Sequence, residues 1–380
     1  MTGAVIIGVG QTAYEPAKPS QAIPEMVLEA VERALGDARI GMEAIDAVVT
    51  ASVDLWDGRT ASNIQVTEVV GAVMKPEARV AGDGLLAAIH AAMTVGAGAY
   101  GAVLVAAHCK MSEGQHWTCS NWAVDPICQQ PLGLDFLSAA GLQARAYEQR
   151  HGMGASHWAR VVEKNARNAR ANPLAPRGPD RSAADVLASA VIADPLRALD
   201  AAPATDGACV LILASPERAR SLGSDTPVAL LGAGYACEAH YLGDRDLTST
   251  DALAAASRRA YAMAGVERPL RDVQVVECSE AFSYQELLWS EGLGLCGPGE
   301  GARLLEEGIT LPGGRLPVNP SGGMLGGSPF VVAGLARLAE AVLQVRGDAA
   351  GRQVAGVRRA IAHGTHGPAG QHHSVVVVGA

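Results

Sequence analysis

Short apolar runs alternate with amphipathic stretches along this chain, and the alternation predicts its secondary structure. Unbroken Val/Ile/Leu-rich runs at residues 5–10 and 102–107 have the length and composition of buried strands. Longer stretches between such runs place apolar residues at helical spacing. Strand, helix and strand in this order indicate parallel sheets with right-handed crossovers, so the pattern predicts an α/β fold.

The strand and helix pattern occurs twice along the chain. Each half has a strand with Gly-x-Gly at its end, a second strand, a Gly-rich turn before an apolar helix, and a Val-rich strand. The matching segments are, in pairs, 5–10 and 228–234, 45–50 and 273–278, 82–84 and 321–323, and 102–107 and 374–379.

Two similar halves suggest a pseudo-two-fold molecule with five layers, αβαβα. We predict an N-terminal half at residues 1–222 and a C-terminal half at 223–380. The stretch 119–194 interrupts the first half with a long helical pattern, 144–171, and several Pro-rich turns. We interpret it as an insertion that covers the mouth of the active site.

Composition excludes several classes of function. The net charge is −9 and no Lys/Arg run stands out, so nucleic acid is not expected as a partner. No apolar stretch reaches the roughly 18–20 residues of a membrane helix. The first residues form a predicted strand and not a signal peptide, so we expect a cytoplasmic protein. Seven scattered cysteines without a CxxC pair indicate neither a disulfide framework nor a zinc ribbon.

Two Gly-rich segments are candidate ligand contacts. The turn with Gly82 and Asp83 leads into an apolar helix, whose free amides would favour an anion or a developing oxyanion; close packing is the alternative. Gly322 and Gly323 lie in a polar loop that would let the backbone touch a ligand. Residues 8–13 resemble a dinucleotide fingerprint, but nearby prolines discourage the required helix, so a structural turn is favoured.

Polar side chains follow the predicted strand 273–278. Cys278 and Ser279 lie where this strand ends, which is the usual ligand side of a parallel sheet. The alternative is a capping turn in which Ser279 caps a helix and Phe282 joins the core. We favour the functional interpretation because the neighbouring motifs are also polar and Gly-rich.

Four of the ten histidines fall within residues 363–373, in an apparent Gly-rich loop. A histidine that titrates near neutral pH suits a general base or acid, which makes His363 the first candidate and His366 the second. The H-x-x-H spacing is compatible with a metal, but without a helix to align the rings we predict no metal site. His372 and His373 precede a strand, and we expect a structural role for at least one.

The order of these motifs resembles the thiolase superfamily along nearly the whole chain. The resemblance is strongest to the branch of sterol-carrier-protein-type thiolases and their bacterial relatives. It rests on residues 144–152 and 161–165, which look like the loop-domain helix of that branch, and on 194–196 and 205–208, which look like its run into the last N-terminal strand.

Several positions depart from the family pattern. The position of the family's nucleophilic cysteine is Ala81 here, and the Asn or His of its oxyanion loop is Ser279. The His of its Gly-His-Pro motif is Ser328. Of the family's acid/base groups, only the position of His363 keeps a strong candidate. Cys278 or Cys109 is the alternative that would restore a relocated thiol nucleophile.

The resemblance implies a protein that acts on CoA thioesters, with coenzyme A as part of the substrate and no covalent cofactor. It implies acyl transfer, or aldol or retro-aldol C–C bond chemistry that needs a base and an oxyanion hole but no acyl-enzyme. His363 would be the base, and Ser279, Ser328 and amides near Gly82 and Gly323 would polarise the thioester carbonyl.

The second hypothesis is a non-catalytic thiolase-like subunit of a hetero-oligomeric acyl-CoA complex. Loss of three of the family's polar residues favours it, and the retained histidines mildly oppose it. In either case the resemblance implies a homodimeric core and a possible small zinc-ribbon/OB-fold partner subunit.

Overall fold

The computed structural model describes residues 3–380, apart from the side chain of Trp117, and within them the chain forms eleven strands and twelve α-helices. Nine of the strands form one mixed sheet, and β5 and β6 form a small hairpin. The strands are β1 (Val5–Gln11), β2 (Ala47–Ala51), β3 (Glu77–Val80), β4 (Ala102–Lys110), β5 (Val191–Ala193), β6 (Leu196–Arg197), β7 (Asp206–Ala214), β8 (Val228–Cys237), β9 (Val275–Glu277), β10 (Arg359–His366) and β11 (His372–Gly379).

The helices surround and separate the two halves of this sheet. Helices α4 to α6 and most of α3 belong to the insertion, and the other helices lie in the connections between strands. They are α1 (Ile23–Ala38), α2 (Gly84–Gly96), α3 (His116–Trp122), α4 (Phe136–His151), α5 (Ala155–Ala169), α6 (Ala183–Ala188), α7 (Pro216–Ser221), α8 (Asp251–Ala264), α9 (Pro269–Asp272), α10 (Ser283–Gly292), α11 (Gly301–Glu306) and α12 (Ala333–Arg346).

When the strands are read from each edge of the sheet towards its centre, the two halves have corresponding orders. The order is β3-β2-β4-β7-β1 and then β8-β11-β10-β9, with β1 and β8 paired antiparallel at the centre. An isolated parallel bridge between Val276 and Val318 extends the second half beyond β9, where β3 lies in the first. The predicted boundary at residues 222 and 223 stays a prediction; it falls between α7 and β8.

Alternating residues of the strands face different helix layers, as expected for sheets that are buried on both faces. One set packs with α2 and α12 in a central core. The opposite set packs against α1 in the N-terminal half and against α8 and α10 in the C-terminal half. The result is the predicted five-layered αβαβα arrangement.

The repeated Gly-x-Gly pairs lie inside strands where a helix approaches closely, and not in turns as we had interpreted them. A Cβ atom at Gly10 would lie 2.0 Å from the Ala30 carbonyl oxygen of α1. A Cβ at Gly234 would lie 2.2 Å from the Ala256 oxygen of α8 in the other half. The glycines therefore allow tight helix–strand packing, and this explains their repetition.

Three local predictions need correction. The helical pattern at 144–171 is two helices, because Gly152, whose φ of 72° breaks the helix, follows the end of α4 at His151. Residues 363–366 of the His-rich segment do not form a loop. They are the end of β10, which pairs with β11. The counterpart of β4 is therefore β10, and the Val-rich 374–379 run belongs to β11, which corresponds to β7.

Asp83 joins the beginnings of the two central helices. Its carboxylate accepts hydrogen bonds from the Leu85 amide of α2 at 2.8 Å and from the Gly334 amide of α12 at 2.9 Å. A Cβ atom at Gly334 or Gly364 would lie within 2.2 Å of the Asp83 Oδ1 atom, so only glycine fits there. One buried side chain thus caps a helix from each half of the molecule.

In the part of the chain that the structure describes, no helix combines the length and apolarity that a membrane crossing requires.

We expect the Asp83→Ala variant to lose about 2–4 kcal/mol of unfolding free energy, because two buried amides lose their acceptor. The matched control is Asp135→Ala, which removes the cap of α4 alone and should cost about 1 kcal/mol. Urea denaturation measures both. Equal losses in the two variants would contradict the double-capping role.

Candidate active site

A cavity of about 560 Å³ opens where the beginnings of α2 and α12 meet the insertion. The residues before α2 form one wall, and the turn between β10 and β11 forms another. Phe136 of the insertion and His116 just before it are among the residues that complete it. The size and mainly apolar lining are typical of small-molecule sites.

The cavity wall before α2 consists of Ala81, Gly82 and Asp83. The Gly82 amide donates to the Val80 carbonyl, and the Gly84 amide donates to the Val331 carbonyl. The Leu85 amide is bound by Asp83. The amides of Gly82, Gly84 and Leu85 are therefore occupied within the protein, and the free helix amides expected from the sequence are not present at these residues.

His366 lies directly against Gly82. A Cβ atom at residue 82 would be 3.1 Å from the Nε2 and Cε1 atoms of the His366 imidazole. The ring stacks on His372 with their centroids 4.3 Å apart, and both histidines line the cavity. Burial, with a smaller contribution from His372, lowers the pKa of His366 to about 3. The imidazole is therefore neutral at pH 7.

His363 lies on the other face of β10 from His366, because side chains alternate along a strand. It is fully buried, and its Nε2 atom is 3.0 Å from the His373 Nδ1 atom. Its ring packs against Trp289 of α10 at 6.0 Å. Burial lowers the pKa of His363 to about 3. His363 is outside the residues that line the cavity, whereas His366 is among them.

The other predicted polar residues pack behind the cavity wall. Ser279 is fully buried and its hydroxyl donates to the His363 carbonyl oxygen at 3.0 Å. Ser328 is buried, and its Oγ atom has no hydrogen-bond partner among the described residues. Neither serine lines the cavity, nor does Cys278. Helix α10 is capped at Phe282, three residues after Ser279, which the alternative interpretation had as the cap.

The loop with Gly322 and Gly323 packs on buried carboxylates and also lies outside the cavity lining. Gly323 has a φ of 64°, and a Cβ atom there would lie 1.9 Å from the Glu280 Oε1 atom. Glu280 accepts hydrogen bonds from the Asn165 and Asn319 amides at 3.0 and 2.9 Å. Burial and the nearby Glu286 raise the pKa of Glu280 to about 8. The contacts of this loop are those of a structural network.

No cysteine lines the cavity among the residues that the structure describes. Cys109 and Cys278 are fully buried, in β4 and just after β9. Burial raises the pKa of both thiols well above the usual value. Neither cysteine has the exposed, low-pKa environment of a reactive thiol.

Four aromatic residues of the cavity were not singled out from the sequence. Trp56, His116, Phe136 and Phe330 line it, with the last three each in ring contact with Trp56, and we call them the aromatic cluster. Burial lowers the pKa of His116, with Asp206 opposing, and its Nδ1 atom has no hydrogen-bond partner among the described residues. No motif surrounds these residues; the only signal in the sequence is the rarity of phenylalanine.

The described residues contain no group of three or more His, Cys, Asp or Glu that is arranged to hold a metal ion.

Comparisons with known proteins agree on one family. Residues 234–380 match the family model "Thiolase C-terminal domain-like". An "Acetyl-CoA acetyltransferase" of Methanothermobacter thermautotrophicus is 33% identical over 98% of this chain and 99% of that protein. The "Sterol carrier protein 2" of Homo sapiens is 29% identical over 94% of this chain and 69% of its own length. The solved structure "Ltp2-ChsH2(DUF35) aldolase" has a TM-score of 0.83 and 26% identity, and covers 100% of this chain and 98% of that chain.

We expect stability to fall as the pH decreases from about 6.5 towards 3. In this range the unfolded chain binds a proton at His363 that the folded chain does not bind, because the folded pKa is about 3. The unfolding free energy of the His363→Gln variant should fall less steeply over this range than that of the wild type. The expected difference in slope is about 1.4 kcal/mol per pH unit.

Urea denaturation at several pH values measures this difference. The control is His90→Gln at an exposed histidine of α2, which should keep the wild-type slope. Parallel pH profiles for the wild type and His363→Gln would show that His363 is not held neutral by burial.

Proposed function

Because the chain belongs to the thiolase superfamily, in the branch of sterol carrier protein 2, we propose that it makes or breaks C–C bonds of CoA thioesters by aldol-type chemistry without an acyl-enzyme. The observation that carries this proposal is the combination of Ala81 with His366 at one cavity wall. A methyl group cannot form a thioester, whereas a neutral imidazole beside residue 82 can polarise a carbonyl.

The alternative within the same chemistry is acyl transfer, which the name of the archaeal relative states for that protein. Acyl transfer through a covalent intermediate requires an activated nucleophile. No cysteine lines the cavity in the described residues, and burial disfavours the thiolate at Cys109 and Cys278. These observations, together with the word "aldolase" in the description of the similar structure, favour aldol-type chemistry.

We assign His366 the role of hydrogen-bond donor to the thioester carbonyl. The resemblance to the family points to a base at His363 or His366, but a pKa of about 3 makes either imidazole a weak proton acceptor at pH 7. A neutral imidazole still donates one N–H, and this donor stabilises the enolate oxygen as charge develops.

We assign His116 the role of general base. It lines the same cavity, and the carboxylate of Asp206 opposes the effect of burial on its pKa. Its Nδ1 atom is buried and has no hydrogen-bond partner among the described residues, so no protein donor occupies this nitrogen. The Asp206 carboxylate favours the protonated imidazole that forms when the base takes the proton.

In the cleavage direction the substrate is a β-hydroxyacyl-CoA. His116 removes the proton of the β-hydroxyl, the Cα–Cβ bond breaks, and the hydroxyl carbon becomes an aldehyde or ketone. The electron pair of the broken bond forms the thioester enolate, whose oxygen accepts a hydrogen bond from His366. The proton held by His116 then passes to Cα, which gives the shorter acyl-CoA and regenerates the neutral base, and in the synthetic direction the same steps run in reverse.

A small partner subunit and a homodimeric core are part of this proposal. The similar structure is described as a complex of Ltp2 with a DUF35 protein, which supports a hetero-oligomer. The insertion carries strongly exposed apolar side chains, including Ile127 and Leu132, that a partner would cover. The proposal places the assembly in the cytoplasm.

The second candidate function is a non-catalytic subunit that binds CoA thioesters in such a complex. The occupied amides of Gly82, Gly84 and Leu85 favour it, because the head of α2 offers no obvious oxyanion hole there. The three cavity-lining histidines His116, His366 and His372, whose pKa values are all lowered by burial, count against it.

We expect the complex that the chain forms in its native host to cleave β-hydroxyacyl-CoAs. His366→Gln should lower kcat by about 10²–10³ and His116→Gln by about 10²–10⁴. Wild-type kcat/KM should fall as the pH drops below the pKa of His116, because protonated histidine cannot accept the proton. Mass spectrometry of the released acyl-CoA and carbonyl product measures the reaction.

His90→Gln, at an exposed histidine outside the cavity lining, is the matched control and should keep full activity. Activity that survives both cavity substitutions would reject the assigned roles and favour the non-catalytic subunit. Activity that depends on one of the cysteines would instead restore acyl transfer.

A further inference from the structure

The phenylalanines of this chain are concentrated at the cavity. Only 4% of the residues are Phe, Trp or Tyr, and the chain contains three phenylalanines. All three, Phe136, Phe282 and Phe330, line the cavity. The rest of the core is built mainly from Ala, Val, Leu and Ile. Packing alone therefore does not explain why the phenylalanines are concentrated here.

The aromatic cluster forms a group of rings around Trp56. The Trp56 centroid is 5.9 Å from His116, 5.6 Å from Phe136 and 5.7 Å from Phe330. The planes are inclined by 23°, 50° and 32°, so the rings present faces and edges at several angles. These distances lie in the range of favourable aromatic pairs, and another ring in the cavity would meet similar geometry.

Small side chains line other parts of the same cavity. Ala198, Ala201, Ala202 and Ala204 precede β7, and Ala281 precedes α10. Methyl groups at these positions leave room that larger side chains would fill. The cavity thus combines aromatic surfaces with space for a bulky group.

We propose that the aromatic cluster is the acyl-group subsite and that it selects thioesters whose acyl group carries an aromatic ring. This inference rests on the proposed function, since it names the substrate class of the same cavity. A ring inserted beside Trp56 gains aromatic contacts that an alicyclic ring of equal size lacks. Short acyl groups, such as acetyl, do not fill the space.

The test compares dissociation constants for matched pairs of CoA esters. The pairs are benzoyl-CoA with cyclohexanecarbonyl-CoA, and 3-phenylpropanoyl-CoA with 3-cyclohexylpropanoyl-CoA; acetyl-CoA and free CoA are the references. None has a β-hydroxyl, so calorimetry measures binding without cleavage. We expect the aromatic ester of at least one pair to bind about 2- to 10-fold more tightly than its alicyclic partner, and both to bind more tightly than acetyl-CoA.

Variants locate the selectivity. Phe330→Leu keeps an apolar side chain but removes one ring of the cluster, so the aromatic-to-alicyclic ratio should fall. The matched control, Phe282→Leu, changes a cavity phenylalanine that is not paired with Trp56 and should alter both affinities by the same factor. Circular dichroism checks that each variant is folded.

Three outcomes overturn the inference. Equal affinity for the aromatic and alicyclic esters would reject the aromatic selectivity but leave CoA binding intact. A ratio that falls in Phe282→Leu and not in Phe330→Leu would place the subsite elsewhere. If free CoA and every ester fail to bind, the proposed function fails together with the inference.

Discussion

The pair of hydrogen bonds accepted by Asp83 connects the two halves of the molecule at its centre. The carboxylate binds the amides of Leu85 and Gly334 and so joins the beginnings of α2 and α12. Burial raises the pKa of Asp83 to about 7, although both amides favour the ionised form. The close approach of Gly334 and Gly364 to this carboxylate fixes the position of β10 against α2. The cavity walls formed by these elements depend on that arrangement.

This arrangement determines what chemistry the cavity supports. The amides at the head of a helix stabilise an anion or lower the pKa of a thiol when they are free. Here Asp83 and the Val331 carbonyl already occupy those of Leu85 and Gly84, and residue 81 is alanine. The imidazoles in the cavity wall come from β10, β11 and α3, and they lie beside polar side chains such as Gln285 and Gln371. The proposed mechanism therefore relies on neutral histidines and not on a helix-activated nucleophile.

The sequence predicted the fold well because strand and helix periodicities are strong where both faces of a sheet are buried. It failed at β10, whose Gly and His residues look like a loop, and the alternation that separates His363 from His366 was lost with it. Residues of other motifs that were singled out from the sequence, such as Ser279 and Gly323, pack behind the cavity wall. The aromatic cluster could not be predicted, because Trp56, Phe136 and Phe330 are far apart in the chain and converge only through the tertiary fold.

The central claim is that the chain handles CoA thioesters without forming a covalent acyl-enzyme. Intact-protein mass spectrometry after mixing with a panel of acyl-CoAs tests it most directly, with rapid acid quenching to trap labile thioesters. We predict an unmodified mass of the chain with every ester. A stoichiometric acyl adduct that peptide mapping places on Cys278, Cys109 or another cysteine would contradict the account and restore a thiolase-type nucleophile.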